Sequence, residues 1–169
     1  MITIQVNDRE VLDVIAQLAA RVTDMRPAMR EIGKNLVEST KQRFVTATGP
    51  DGAAWAANSP ATIGLYVAAV SGSFKKDGQL SKKGAIRKAA KNPLTGESRA
   101  LQTEINYQLA GNTGVSIGSP MPYAAMQQFG GKKSAYPHLW GDIPARPFLG
   151  VSKEDAANIV EIVSSYLVK

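Results

Sequence analysis

Apolar side chains recur at helical spacing through the first third of the chain, and this pattern most constrains the fold. Asp8 can cap a helix whose apolar stripe is Val11, Leu12, Ile15, Leu18 and Val22. Pro27 fits the first turn of a second helix, with a stripe of Met29, Ile32, Leu36 and Phe44. The spacing predicts two long successive helices, the second ending before the turn-forming residues 49–52.

Alternation of apolar and polar residues indicates strands at 2–6 and on both sides of the turn GNTG at 111–114. Ser59-Pro60 predicts the start of a short helix that runs to Val70. A third apolar stripe, after Ser152, predicts a C-terminal helix that begins with a capping box. We therefore expect one α+β domain over residues 1–169. In it, a small antiparallel or mixed sheet is packed by two long N-terminal helices and a C-terminal helix.

The net charge of +6 is concentrated in the middle of the chain. Residues 71–99 carry eight basic and two acidic side chains, which is the whole excess, while both flanks are neutral. Residues 71–95 are rich in glycine, serine and lysine, which predicts a flexible basic arm with a transient helix at 84–91. An anionic partner would meet the cations of this arm, Lys75, Lys76, Lys82, Lys83, Arg87, Lys88 and Lys91.

The composition argues against several classes of protein. The chain has no cysteine, so no disulfide holds it together and no thiolate can act as nucleophile, and we expect it to fold inside the cell. No run of 18 apolar residues is present and the N-terminus does not resemble a secretory signal, so no membrane contact is expected.

Two motifs look chemical at first sight. Gly114–Gly118 matches G-x-S-x-G, but Ser116 lies in an alternating run with no helix after it and no acid between it and His138. His138 is the sole histidine, and a zinc site would need further histidine or cysteine ligands. We therefore expect no catalytic residues, no metal and no cofactor.

A set of strings in fixed order resembles a known family. These strings are RF at 43–44, PDGAAW at 50–55, SPAT at 59–62, YAAMQQFGG at 123–131 and IPARPFLG at 143–150. They resemble the phage virion morphogenesis proteins of Mu-like tailed phages, a family that includes tail completion proteins. The resemblance covers most of the chain apart from the basic middle. One departure is Gln127, where many relatives have histidine.

The resemblance implies a structural virion protein of the neck or tail end without catalytic activity. Such a protein completes the tail or joins it to the head as a ring of identical subunits, with a hexamer expected, and contacts adjoining neck, connector or tail-tube proteins. It would be found in the virion, and in the host cytoplasm during assembly. Contact with DNA is compatible with this role but not required. The alternative is a basic nucleic-acid-binding accessory protein, because the sequence pI is about 9.6.

The stretch IPARPFLG is stiff because Pro144 and Pro147 fix their own φ and restrict the residues before them. A stiff segment loses little entropy when it joins an interface. We therefore predict a subunit or partner interface at Phe129, Gly130, Pro144, Arg146, Pro147 and Phe148. The competing interpretation is a strand that enters the core, with an arginine that is useful only locally.

Overall fold

The computed structural model describes residues 9–139 and 141–168. Within them the chain forms seven helices: α1 Arg9–Thr23, α2 Arg26–Thr46, α3 Pro60–Ala68, α4 Lys82–Ala89, α5 Ala100–Thr103, α6 Ala124–Phe129 and α7 Lys153–Val168. One antiparallel sheet pairs β1 Asn106–Ala110 with β2 Gly114–Gly118. The α+β fold class is therefore confirmed. The strand predicted at 2–6 lies outside the described residues.

Helix α2 begins and ends where its local chemistry requires. Pro27 occupies the first turn, and the Asp24 carboxylate accepts the backbone N–H of Arg26. At the other end Ala47 adopts a left-handed conformation and its N–H donates to the Arg43 carbonyl. The loop that follows bends back on itself, with Thr48 bridged to Ala54. The two long helices predicted from the apolar spacing are both present.

The hairpin packs against α2. Tyr107 and Ile117 are paired across it, so their side chains share a face. Gly33 of α2 meets this face at close range, since a Cβ at that position would lie 2.5 Å from the Tyr107 ring. A glycine in a helix interior normally destabilises it, and here the absence of a side chain lets the strand approach the helix axis.

Two apolar clusters flank α2. The first contains Phe44, Trp55, Leu101, Ile105, Ala124 and Phe148. The second joins α2 to α7 and contains Met25, Ala28, Ile32, Leu36 and Ile162. Because α2 contributes to both clusters, it is the element around which the loops and α7 are arranged. Helix α1 lies against α7 and has no buried residue.

The segment 71–95, for which we predicted a flexible arm with a transient helix at 84–91, contains a turn and helix α4. It begins with a turn in which Phe74 is bridged to Leu80, and the Ser81 hydroxyl caps α4 by accepting the Gly84 N–H. Helix α4 then packs against α3. The segment thus contacts the rest of the subunit through the packing of α4 on α3. Its mobility in solution stays a prediction.

The remaining short elements follow their local signals. Ser59 caps α3, with Pro60 at the first helical position as predicted. The Ser152 hydroxyl accepts the Asp155 N–H while the Asp155 carboxylate accepts the Ser152 N–H, which completes the capping box of α7. Helix α5 was not predicted. None of the helices in the described ranges combines the length and the apolar character needed to cross a bilayer.

Candidate functional site

The stretch 143–150 is held by side chains from two distant parts of the chain, helix α2 and the loop that follows it. Arg43 donates from Nη1 to the carbonyls of Phe148 and Gly150, both at 2.9 Å. The indole N–H of Trp55 donates to the Pro147 carbonyl at 2.8 Å. The Phe148 ring is completely enclosed, with its centroid 5.5 Å from that of Phe44. The segment therefore closes the core of the subunit.

Arg146 is bound within its own subunit. Nε donates to the Ala56 carbonyl at 2.7 Å, and Nη2 donates to the Ala57 carbonyl at 2.9 Å. Only 7% of the residue is exposed, and this burial lowers the pKa of the guanidinium from its ordinary value. Arg146 thus fastens the loop after Trp55 to the stretch 143–150.

Two residues of the predicted subunit or partner interface lie mostly inside their own chain. Phe148 has no exposed surface, whereas 7% of Arg146 is exposed. Within the segment, Phe148 is fully enclosed and its ring lies beside that of Phe44, so it fills part of the core. The competing interpretation was a strand that enters the core, with an arginine that is useful only locally. Residues 144–150 enter the core at Phe148 but form no strand, and a contact between Arg146 and a partner stays a prediction.

Helix α6 is tied to the same stretch. Gln128 accepts the N–H groups of Phe148 and Leu149 at its Oε1, and its Nε2 donates to the Leu149 carbonyl. The strings YAAMQQFGG and IPARPFLG therefore pack together as one unit. Nothing in the sequence marked Gln128 as the residue that joins them, since its role depends on a neighbour 20 positions away.

The predicted residues that remain accessible lie at the end of α6 and on the prolines. Phe129 is 79% exposed, and Pro144 and Pro147 are exposed as well. Gly130 follows with φ of +74°, and a Cβ there would lie 2.7 Å from the Ala145 nitrogen. The exposed Phe129 ring thus lies between helix α6 and Gly130, whose backbone is packed closely against Ala145.

A second exposed apolar surface is the stripe along α1, which we call the α1 stripe. Its side chains are 38–59% exposed: Val11, Leu12, Val14, Ile15, Leu18 and Val22. The helix is attached to α7 near its C-terminal end, where Arg21 donates to the Leu167 carbonyl. A stripe of exposed apolar side chains of this kind is unusual on a monomer and is typical of binding surfaces.

The cations of the basic segment 71–95 fall into two groups. Arg87 lies 3.9 Å above the Tyr66 ring and donates to the Tyr66 carbonyl, and Lys91 lies 4.5 Å from the same ring. Burial lowers the pKa of Lys91. The other predicted cations stay exposed and form what we call the basic face: Lys75, Lys76, Lys82, Lys83 and Lys88. Arg87 and Lys91 thus attach the segment, and the basic face is available to a partner.

The residues that looked chemical are not brought together. Ser116 lies in the middle of β2, opposite Gln108, and not at the turn from a strand to a helix that a nucleophile elbow requires. His138 is exposed in the loop after α6, where its ring contacts that of Tyr136. In the described ranges, no group of three metal-binding side chains could hold an ion.

A model of the Phage virion morphogenesis family matches residues 6–168, which is nearly the whole chain. The chain belongs to the phage virion morphogenesis family. It is also similar to the Mu-like prophage FluMu G protein 2 of Haemophilus influenzae, with 28% identity over 167 residues, 98% of this chain and 96% of that protein. No solved structure matches the chain. Membership gives this phage virion morphogenesis protein a structural role in virion assembly, outside the known enzyme families.

Proposed function

We propose that the protein is a structural subunit at the neck or tail end of the virion. It completes the tail or joins the tail to the head as part of an oligomeric ring, for which we expect six copies. Family membership and the prophage relative support the assembly role. The neighbours of the ring would be connector and tail-tube proteins.

The observation that carries this proposal is the α1 stripe. A stable specific interface buries about 800 Å² on each partner. A helix of 15 residues is only about 22 Å long, so α1 would supply part of that area. Helix α7, which α1 packs against, would supply more of it. Its Val168 is exposed and follows Leu167, whose carbonyl accepts a hydrogen bond from Arg21. We assign the α1 stripe to contact with a second copy of the chain.

The test compares two double variants by size-exclusion chromatography with light scattering, alone and with purified tails. Val11→Gln with Ile15→Gln places two amides in the α1 stripe. Leu65→Gln with Val45→Gln makes the same change at two exposed residues elsewhere. We expect the first variant to lose self-association and the second to retain it, with equal helical content by circular dichroism. Equal masses for both variants and the wild type would refute the assignment of the α1 stripe.

The alternative role, an accessory protein that binds nucleic acid, rests on the basic face. Its lysines are accessible, and phosphate contacts need no particular base sequence. We favour a protein partner for this face, because a ring that gripped DNA in its channel would hinder DNA exit. The charge-reversal experiment in the Discussion separates the two.

A further inference from the structure

A cavity of about 480 Å³ lies beside Arg146, between the loop after Trp55, the loop before α5 and helix α6. Leu94, Leu101 and Tyr123 provide apolar surface in its wall. Arg146 belongs to the same wall, although more than nine-tenths of it is buried. The cavity therefore combines apolar surface with a cation that is almost withdrawn from water.

The hydrogen bonds of Arg146 leave one of its nitrogens unused. Nε and Nη2 donate to the carbonyls of Ala56 and Ala57. Nη1 donates to no acceptor among residues 9–139 and 141–168, and in that range no carboxylate lies within ion-pair distance of Arg146. Nη1 is not sealed off from solvent either. Two neutral carbonyls hold the guanidinium in place but do not neutralise its charge.

Arg43, the other buried arginine of the described residues, forms the ion pair with a carboxylate that Arg146 does not form among them. Arg43 also donates to backbone carbonyls, but its Nη2 meets the Asp155 carboxylate at 2.5 Å. A buried charge is normally paired because its desolvation is costly. Arg43 thus has a carboxylate partner inside the subunit, whereas Arg146 has none in the part of the chain that the structure describes.

The other charged groups of the cavity have their own contacts. The Asp142 carboxylate accepts the Lys133 N–H and is exposed. The Lys91 ammonium donates to the Thr95 carbonyl and lies over the Tyr66 ring. Neither group neutralises Arg146, and the two cations outnumber the one carboxylate in the wall. The cavity therefore favours an anion.

We propose that this cavity receives a carboxylate side chain of a partner protein, with Nη1 of Arg146 as the donor. The proposal rests on the assembly function, since a virion subunit meets protein neighbours. A glutamate fits because its methylene groups can lie on the apolar wall while its carboxylate reaches Nη1, a charge-assisted bond. A phosphate on a DNA duplex fits less well, because the donor lies inside a hollow and the exposed lysines lie elsewhere, on the basic face.

The experiment uses the blocked peptide acetyl-Gly-Glu-Gly-amide as the probe, with its glutamine analogue and inorganic phosphate as separate arms. Binding is followed by NMR at the Arg146 Nε–H and at the Gln127 amide, which lies in the cavity wall. We expect the glutamate peptide to shift both signals and the glutamine peptide to bind at least tenfold more weakly. Absence of any shift with the glutamate peptide would overturn the proposal. So would signals that shift with inorganic phosphate but not with the glutamate peptide.

Arg146→Gln is a poor test, because it also removes two bonds that hold the fold. Gly96 lies in the cavity wall, and a Cβ there meets no atom within 4 Å. Gly96→Glu would supply a carboxylate from the chain itself and weaken binding of the glutamate peptide at least tenfold, whereas Gly96→Gln would not. Equal binding to both variants would contradict the assigned site.

Light scattering separates this proposal from the proposed function. We expect Gly96→Glu to keep the wild-type mass, because the α1 stripe is unchanged. We expect the double variant in the α1 stripe to bind the glutamate peptide as the wild type does. Failure of self-association therefore tests the ring, and failure of peptide binding tests the cavity.

Discussion

Nη2 of Arg43, on α2, lies 2.5 Å from Oδ2 of Asp155, in the first turn of α7, and both side chains are buried. Arg43 also binds the carbonyls of Phe148 and Gly150. Asp155 also accepts the N–H and the hydroxyl of Ser152. One ion pair thus joins the central helix, the last helix and the segment between α6 and α7.

Removing the carboxylate should destabilise the subunit. Asp155→Asn leaves Arg43 buried without its counter-charge, and breaking one side of a buried pair costs about 3–5 kcal/mol. Urea denaturation followed by tryptophan fluorescence gives the free energy of unfolding. The matched control is Asp24→Asn, which breaks an exposed pair with Arg26 and should have far less effect. An equal loss in both variants would contradict the central role of Arg43–Asp155.

The ion pair between Arg43 and Asp155 should make the free energy of unfolding depend on pH. Burial acts to raise the pKa of Asp155, but hydrogen bonds from Ser152 and Ser39 and the charge of Arg43 outweigh it and hold the pKa below 3.8. The stabilisation is then complete above pH 3.8 and disappears as the pH falls toward the folded-state pKa. Asp24, whose pKa the Arg26 hydrogen bond lowers to about 2, adds to the same loss. Added salt should weaken only the exposed contribution of Asp24.

Substitution by alanine should change the free energy of unfolding much more at Phe148 than at Phe129. Phe148→Ala removes a fully enclosed ring and should cost about 3–5 kcal/mol of folding free energy. Phe129→Ala removes a ring that is 79% exposed, so the unfolding free energy should change little. Urea denaturation measures both free energies of unfolding. Because Phe129 is predicted to lie at an interface, Phe129→Ala should reduce tail completion in a complementation assay. Normal particles from a well-folded Phe129→Ala would exclude Phe129 from an essential interface.

Gly33 and Gly64 form a pair of helix glycines with opposite expected outcomes. A methyl group at Gly33 would collide with the Tyr107 ring, and such overpacking costs about 1–3 kcal/mol. Gly64, in α3, has no atom within 4 Å of the added Cβ, so alanine should stabilise the helix by up to about 1 kcal/mol. Thermal denaturation compares the two. A stabilising Gly33→Ala would show that α2 and β1 are not in the close contact described.

The basic face should act through a protein partner. Lys82→Glu, Lys83→Glu and Lys88→Glu together should abolish completion of infectious particles. The control reverses three exposed lysines elsewhere, Lys34, Lys132 and Lys153. Duplex binding across a salt series reports on the alternative, since each neutralised phosphate adds about −0.9 to the slope of log affinity against log salt. A steep slope that the triple reversal removes would favour DNA as the partner.

Limited proteolysis of the free protein and of assembled particles adds the second half of this test. We expect cleavage within 71–95 in the free protein and protection in particles. Fully infectious triple-reversed phage, with equal cleavage in both states, would leave the basic face without a role.

The sequence by itself determined the elements whose signals are local. The turn residues at 49–52, Ser59-Pro60 and the capping box at Ser152 each placed a helix end, because the groups that satisfy a helix terminus lie within a few residues of it. The alternation around GNTG placed the hairpin for the same reason. The family followed from strings whose order and spacing can be read along the chain.

Only the tertiary structure decided which side chains face inward. Pro144 and Pro147 stiffen the stretch 143–150 whether it lies in the core or at an interface, so its sequence could not show that Phe148 packs on Phe44. The partners of Arg43 and Arg146 lie about 90 to 110 positions away along the chain. Burial and ion pairing depend on such long-range contacts, which residue spacing does not encode. The sequence therefore predicted most of the elements and the family, and the packing around α2 distinguished the enclosed residues from the exposed ones.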